Sequence, residues 1–161
     1  MNSVVLGAVA GAAGTMALDM ATYGDMAVRG RGSSNTPAEM IRRMADKAGI
    51  EPLNKPDEEA DDRTKNRRSG LGALSGYAIG LTIGAAYGAA RPVFSQVSLP
   101  AKALILGGLA MAASDVPAAM LQATDPKQWG AGGWLADIVP HVMYGLVTAA
   151  VFDTIMSRSA L

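Results

Sequence analysis

Among the ionisable side chains inside runs that are otherwise apolar, four are singled out: Asp19, Asp115, Asp137 and His141. A charged residue in the middle of an apolar span costs roughly 2.5–3.5 kcal/mol on insertion scales, so each needs a partner or a task. Asp137 and His141 are four positions apart, which on a helix lets them face each other. One chemistry that fits is a proton or ion relay, or a polar pocket for a headgroup, with His141 as the titrating group. The other is a neutralised cluster, in which His141 bonds an aspartate and fixes the packing of the helices. Nothing around these residues adds a catalytic pattern: there is no G-x-S-x-G, no H-E-x-x-H and no phosphate-binding loop. Cys is 0, which excludes disulfides and thiolate chemistry. His141 with Asp115 and Asp137 is too small a donor set to argue a metal site. The sequence is therefore read as a non-enzyme without metal or cofactor.

The elements that must position these residues follow from composition. The 161 residues make one domain. Half of them are hydrophobic, 19 are Gly and only 5% are aromatic, and the mean hydropathy is +0.20. An apolar content of Ala, Gly, Val and Met suits close helix packing in lipid better than a water-driven core. The stretch from Gly70 to Ala90 states this most plainly, with Gly72, Gly76, Gly80, Gly84 and Gly88 at every fourth position. In water each interior glycine would cost roughly 1 kcal/mol of helix stability relative to alanine. In lipid the backbone must satisfy itself, so a helix forms and the glycines become a packing groove, a glycine zipper. A four-residue repeat drifts about 40° per step around a helix of 3.6 residues per turn, so the groove winds and meets more than one neighbour. The repeat is read as the hub of the bundle, meeting one neighbour near Gly72 and Gly76 and another near Gly84 and Gly88, with span one on one side and an outside partner on the other.

Four spans are predicted, at about 3–23, 69–90, 100–122 and 134–156. The run from Gly7 to Gly14 lies in the first span and follows no strand, so it is not a dinucleotide fingerprint. No Lys or Arg precedes that run, and it is read as a retained helix rather than a signal peptide. Residues 24–68 form a polar loop. Thr36, Pro37 and Glu39 predict a capped helix start, with Thr36 at the N-cap and Glu39 closing a capping box, and an amphipathic helix running to Ala48. Its apolar stripe is Met40, Ile41, Met44, Ala45 and Ala48, and it is expected to lie on the membrane surface or against the bundle. The charge run from Glu51 to Arg68 is read as solvated linker.

The polar loop carries ten of the 14 basic residues. By the positive-inside rule it is cytoplasmic and both termini face outward. The ends of spans one and three and the starts of spans two and four share the loop side, so Asp19, Asp115, Asp137 and His141 converge there, joined by Ser75 and Tyr77. Net charge is +0, so no global field recruits nucleic acid.

Several segments carry a resemblance: Gly11–Thr15, the run from Tyr23 to Arg31, Ser33–Pro37, Asp125-Pro126 with Trp129, and the run from Trp134 to Gly145. Across most of its length the chain resembles a group of small bacterial four-span membrane proteins of unassigned function. The resemblance implies the topology and the inner membrane, and marks Asp25, Arg29, Arg31, Asp137 and His141 as pattern positions. It implies no activity. The segment with Asp25, Arg29 and Arg31 is read as a docking element. The fold expected is an all-α transmembrane four-helix bundle with a cytoplasmic loop carrying one amphipathic helix. The function expected first is an accessory subunit of a larger membrane complex such as a transporter, partnered by the lipid bilayer and another protein, because glycine faces on three spans exceed what one small bundle buries. The alternative is a small channel or proton-coupled carrier using the Asp/His cluster.

Overall fold

In the computed structural model, which describes residues 2–158, the chain is all helical apart from its turns. The helices are α1 (Ser3–Arg29), α2 (Thr36–Ala48), α3 (Asp62–Ala89), a single turn α4 (Arg91–Phe94), α5 (Leu99–Met120) and α6 (Gly130–Arg158), with a 3-10 turn at Pro126–Gln128. Four of these, α1, α3, α5 and α6, are long and apolar enough to cross a membrane, which is the mark of a multi-pass membrane protein. The distribution of large side chains agrees with lipid as the surroundings: Val5, Met16, Leu74, Leu104, Leu109 and Val139 are all exposed on the outside of the bundle. The interior is built from Leu6, Ala10, Leu106, Ala110, Ala149 and Phe152 with two tyrosines, Tyr87 and Tyr144.

Alternating long helices run antiparallel, and glycine sets how closely they approach. A Cβ added at Gly84 would meet the Cα of Gly11 at 2.7 Å, and one added at Gly11 would meet the Cα of Gly84 at 3.1 Å. Gly88 faces Ser3 and Gly7 in the same way. On the other side of the bundle, Gly107 of α5 lies against the backbone of His141, and Gly145 of α6 against Ala103 and Gly107. These approaches leave no room for a methyl group and put backbone on backbone, the small-residue packing that drives association in lipid.

The five glycines of the repeat do not share one partner. Gly72 packs on Pro37 of α2, Gly80 on Thr15, and Gly84 and Gly88 on the start of α1, while nothing lies within 4 Å of a Cβ at Gly76. The winding of the groove is the physical reason. It also corrects the expectation that α3 is the hub: α1 packs extensively on both α3 and α6, and α6 on both α1 and α5, so the centre of the bundle is the α1–α6 pair.

Several boundaries move outward. α1 continues to Arg29 and stops at Gly30, whose φ of 63° is the left-handed conformation of a helix C-cap. α3 starts at Asp62, not near 69, because Asp61 caps it by accepting from the Thr64 backbone N–H at 2.9 Å; the Thr64 hydroxyl and then this backbone bond hold the Asp61 carboxyl below its usual range. The linker reading of 51–68 is also corrected. Arg68 is only 2% exposed, and donates to the Leu53 carbonyl at 2.9 Å and to Asp57 at 2.7 Å, and also to the Lys55 carbonyl. The segment before α3 is thus wrapped around one guanidinium. No capping box forms on α2: Asn35 is the cap residue, and the Glu39 carboxylate takes Arg42 and Arg43 instead, with Arg42 holding Glu39 below the ordinary carboxylate range. Of the α2 stripe, Ala45 is buried and Met44 and Ala48 are exposed, and the helix rests against α3.

The glycine seam gives a direct test. Gly84→Ala is expected to destabilise the bundle by about 1–3 kcal/mol, as overpacking against backbone does, whereas Gly76→Ala is expected to be neutral or stabilising. The midpoints of heat- or detergent-induced unfolding of the two variants, compared with wild type, check this.

Candidate functional site

The glycine-on-glycine contacts between long helices lie in the half of the bundle away from the loop. On the loop side the helices enclose a cavity of about 640 Å³. Its wall takes Thr15 to Tyr23 from α1, Gly72 to Gly80 from α3, Ala110 to Ala118 from α5 and Gly132 to Tyr144 from α6, and its mouth takes Arg29, Arg31, Ser34, Thr36, Pro37, Met40 and Trp129. At the inner end Tyr144 donates from its hydroxyl to the Gly80 carbonyl at 2.7 Å, closing the cavity between α6 and α3. Beyond it lies the apolar core around Leu6, Leu106 and Phe152.

All four polar residues singled out in the spans line this cavity, in two groups. Asp19 sits on the α1–α3 side and accepts a hydrogen bond from Tyr77 at 2.9 Å. Asp115, Asp137 and His141 form the α5–α6 side. The Nδ1 of His141 lies 2.8 Å from the Asp137 carbonyl oxygen and 3.3 Å from its carboxylate, so Nδ1 carries a hydrogen and donates. Asp115 is within hydrogen-bonding reach of Asp137, and the Ser114 hydroxyl lies 3.2 Å from one of its oxygens. The second oxygens, Asp115 Oδ2 and Asp137 Oδ2, are buried and no donor of the chain reaches either. With one oxygen of each carboxyl group lacking a donor, the pair is satisfied by one proton held between the two groups or by one small cation. Ser75 also lines the cavity, but its hydroxyl turns back to the Gly72 carbonyl. Pro117 and Pro140 lie inside α5 and α6 beside the two aspartates, and both helices continue through them.

The segment read as a docking element is engaged within the chain. Asp25 pairs with Arg29 at 2.6 Å and also with Arg31, and Arg29 reaches the Gly132 carbonyl at 3.3 Å. This ties the end of α1 to the start of α6 at the rim of the cavity. Trp129 and Trp134 pack with ring centroids 5.0 Å apart beside it, and the Trp129 indole N–H donates to Thr124 at 2.8 Å.

Sequence reasoning missed a second polar cluster at the opposite end of the bundle. Lys102 of α5 donates to Asp153 of α6 at 2.7 Å, and the Tyr87 hydroxyl donates to the same carboxylate at 3.1 Å. The signal was present: Lys102 opens one span and Asp153 closes the next, so an antiparallel pair brings them level. Among the described residues no group of three or more His, Cys, Asp or Glu is placed to hold a metal ion. Compared with protein-family models, curated proteins and solved structures, the chain matches none.

Because the chain has no cysteine, access to the cavity is measurable with single substitutions. Gly76→Cys, in open space on the cavity wall, is expected to react with a membrane-impermeant maleimide added on the loop side. Ala149→Cys, at 0% exposure, is expected to resist from both sides. Labelling of Gly76→Cys equally from either side would mean a continuous pore in place of a cavity closed at one end.

Proposed function

We propose that the chain is a small proton-coupled carrier, non-catalytic, with the loop-side cavity as its binding chamber and Asp115, Asp137 and His141 as its proton-holding group. The observation that carries this reading is the pair of buried carboxylate oxygens left without donors in the wall of an open cavity. Thr148 Oγ1 in the core also lacks a partner, but it belongs to a neutral hydroxyl; a pair of carboxyl groups serving only to pack α5 on α6 would close its own hydrogen bonds, since a buried unpaired polar atom costs about 1–3 kcal/mol and more when charged. Ionisable groups facing an internal cavity of a membrane protein mark ion and proton pathways by default. The excess of Lys and Arg in the loop supports placing the cavity mouth on the cytoplasmic side of a bacterial inner membrane, with both termini outside.

The accessory-subunit reading has lost one ground. Gly7, Gly11, Gly80, Gly84, Gly88, Gly107 and Gly145 are all used against other parts of this chain. What still favours it is Gly108, which packs on nothing in the chain and lies beside exposed Leu104 and Leu109 on the outer face of α5. Native mass spectrometry from mild detergent separates the two: a co-purifying protein would support the subunit reading, and a chain that purifies alone would support the carrier.

The carrier reading itself is checked in vesicles holding a pH reporter. With a panel of cationic, anionic and neutral organic solutes supplied in turn across the membrane, the wild-type chain is expected to collapse an imposed proton gradient faster than protein-free vesicles do for at least one of them. Asp137→Asn combined with Asp115→Asn is expected to return the rate to that of protein-free vesicles, and His141→Ala to change it. Wild-type vesicles no faster than empty ones with any solute of the panel would sink the proposal.

A further inference from the structure

We infer that the ligand of this cavity is an organic cation with a large apolar body, taken up in exchange for the proton held between Asp115 and Asp137. The inference rests on the carrier reading above and adds the class of ligand. Its first ground is the layout of charge. Asp19, Asp115 and Asp137 all line the chamber, with His141 beside them. The opposing cations, Arg29 and Arg31, stand at the mouth and share Asp25 between them. Gly132, which Arg29 touches, precedes Asp137 by five residues, or about 7.5 Å along the helix axis. The inner chamber is therefore anionic and its rim only weakly cationic.

The second ground is independent of charge. The walls between these groups are carbon: Leu18, Ile79, Ala110, Ala118 and Pro140. Tyr23, Tyr77, Trp129 and Tyr144 bring aromatic rings to the same chamber, and ring faces attract cations, most strongly where water is excluded. A chamber of about 640 Å³ falls in the range of small-molecule pockets and far exceeds one metal ion. No group of described residues is arranged to ligate a metal. An apolar anion of equal size would find the same walls but face the carboxylates. The balance of the step is simple: one monovalent cation enters, one proton leaves the Asp115–Asp137 pair, and the net charge of the site is unchanged. Binding then brings no uncompensated charge into the membrane, which is the cost that otherwise keeps cations out.

The test uses two ions of the same shape and opposite charge, tetraphenylphosphonium and tetraphenylborate, added to the full chain in lipid nanodiscs and to empty nanodiscs. Saturable binding of the phosphonium is expected by calorimetry, with about one proton released per cation in weakly buffered solution and no saturable binding of the borate. Asp115→Asn with Asp137→Asn is expected to abolish the proton release and to weaken phosphonium binding by at least about tenfold, which is about 1.4 kcal/mol. Equal saturable binding of both ions would overturn the inference, leaving an apolar pocket without charge selectivity. Absence of phosphonium binding, while proton flux in vesicles still depends on Asp137, would overturn the ligand class and leave the carrier reading standing. Absence of both would overturn both.

Discussion

Backbone against backbone at glycine is the interaction on which the rest of this bundle depends. Gly7 and Gly11 meet Gly84 and Gly88, and Gly107 meets Gly145, at separations that no side chain would allow. In lipid there is no hydrophobic gain from burying an apolar side chain, so association rests on dispersion between surfaces that fit. Glycine supplies that fit only where two glycine faces meet. Here they meet in the half of the bundle away from the polar loop. In the loop-side half the facing positions carry Leu18, Asp19, Thr22 and Tyr23 on α1, and Tyr77 and Ile79 on α3. These line the cavity in place of a glycine-on-glycine contact. The seam needs glycine on both facing helices, whereas the chamber mixes small residues such as Gly72, Gly76 and Ala118 with polar and aromatic ones.

Charge follows the same division. Ions that serve the architecture are paired. Arg68 is enclosed by Asp57 and two carbonyls outside the apolar part of α3, and Lys102 is met by Asp153 at the far end. Removing one partner from such pairs strands a desolvated charge, which is why both are closed locally. The carboxyl groups of the chamber differ in kind. Asp115 and Asp137 face each other, so neither supplies the other with a donor unless a proton lies between them. A site satisfied only by a mobile species is suited to exchange, because whatever replaces the proton must also satisfy the oxygens. The architecture thus places two unpartnered carboxylate oxygens in residues that line a ligand-sized space.

How much of this could be read from sequence depended on whether the signal was local. A charge in an apolar run contradicts its surroundings, so Asp19, Asp115, Asp137 and His141 were legible one by one, and their convergence followed from an up-and-down topology alone. The spans were legible because about 20 apolar residues in a row have few alternatives. The far ends of α1 and α3 were not, since helices continue into polar sequence wherever a cap such as Asp61 or a stop such as Gly30 allows. Arg68 was illegible for another reason. It sits in a run of charges whose composition reads as solvated, and its burial depends on residues 53–57 folding back over it. Gly76 differs from Gly84 in nothing but the angle at which the repeat has arrived, and that angle acquires meaning only once the neighbours are placed.

A chamber open at one end raises the question of how a carrier would release its ligand on the other side. The far half is closed by glycine seams and by a core in which the Tyr87 ring packs tilted against Phe152 at 4.8 Å and edge-to-face with Phe94 at 5.1 Å between centroids. Seams without side chains have few interlocking ridges, so helices can slide or rotate along them at lower cost than across a knobs-into-holes interface. Three hydrogen bonds resist that motion directly. One is Tyr144 to Gly80 at the inner end of the chamber. The other two converge on Asp153 from Lys102 and Tyr87 at the far end. Each joins two different long helices, and together they span the closed half from its inner to its outer limit. In the proposed cycle these bonds define the closed far side. Opening there requires the Asp153 cluster to part, whereas the loop side already gives access without any such break.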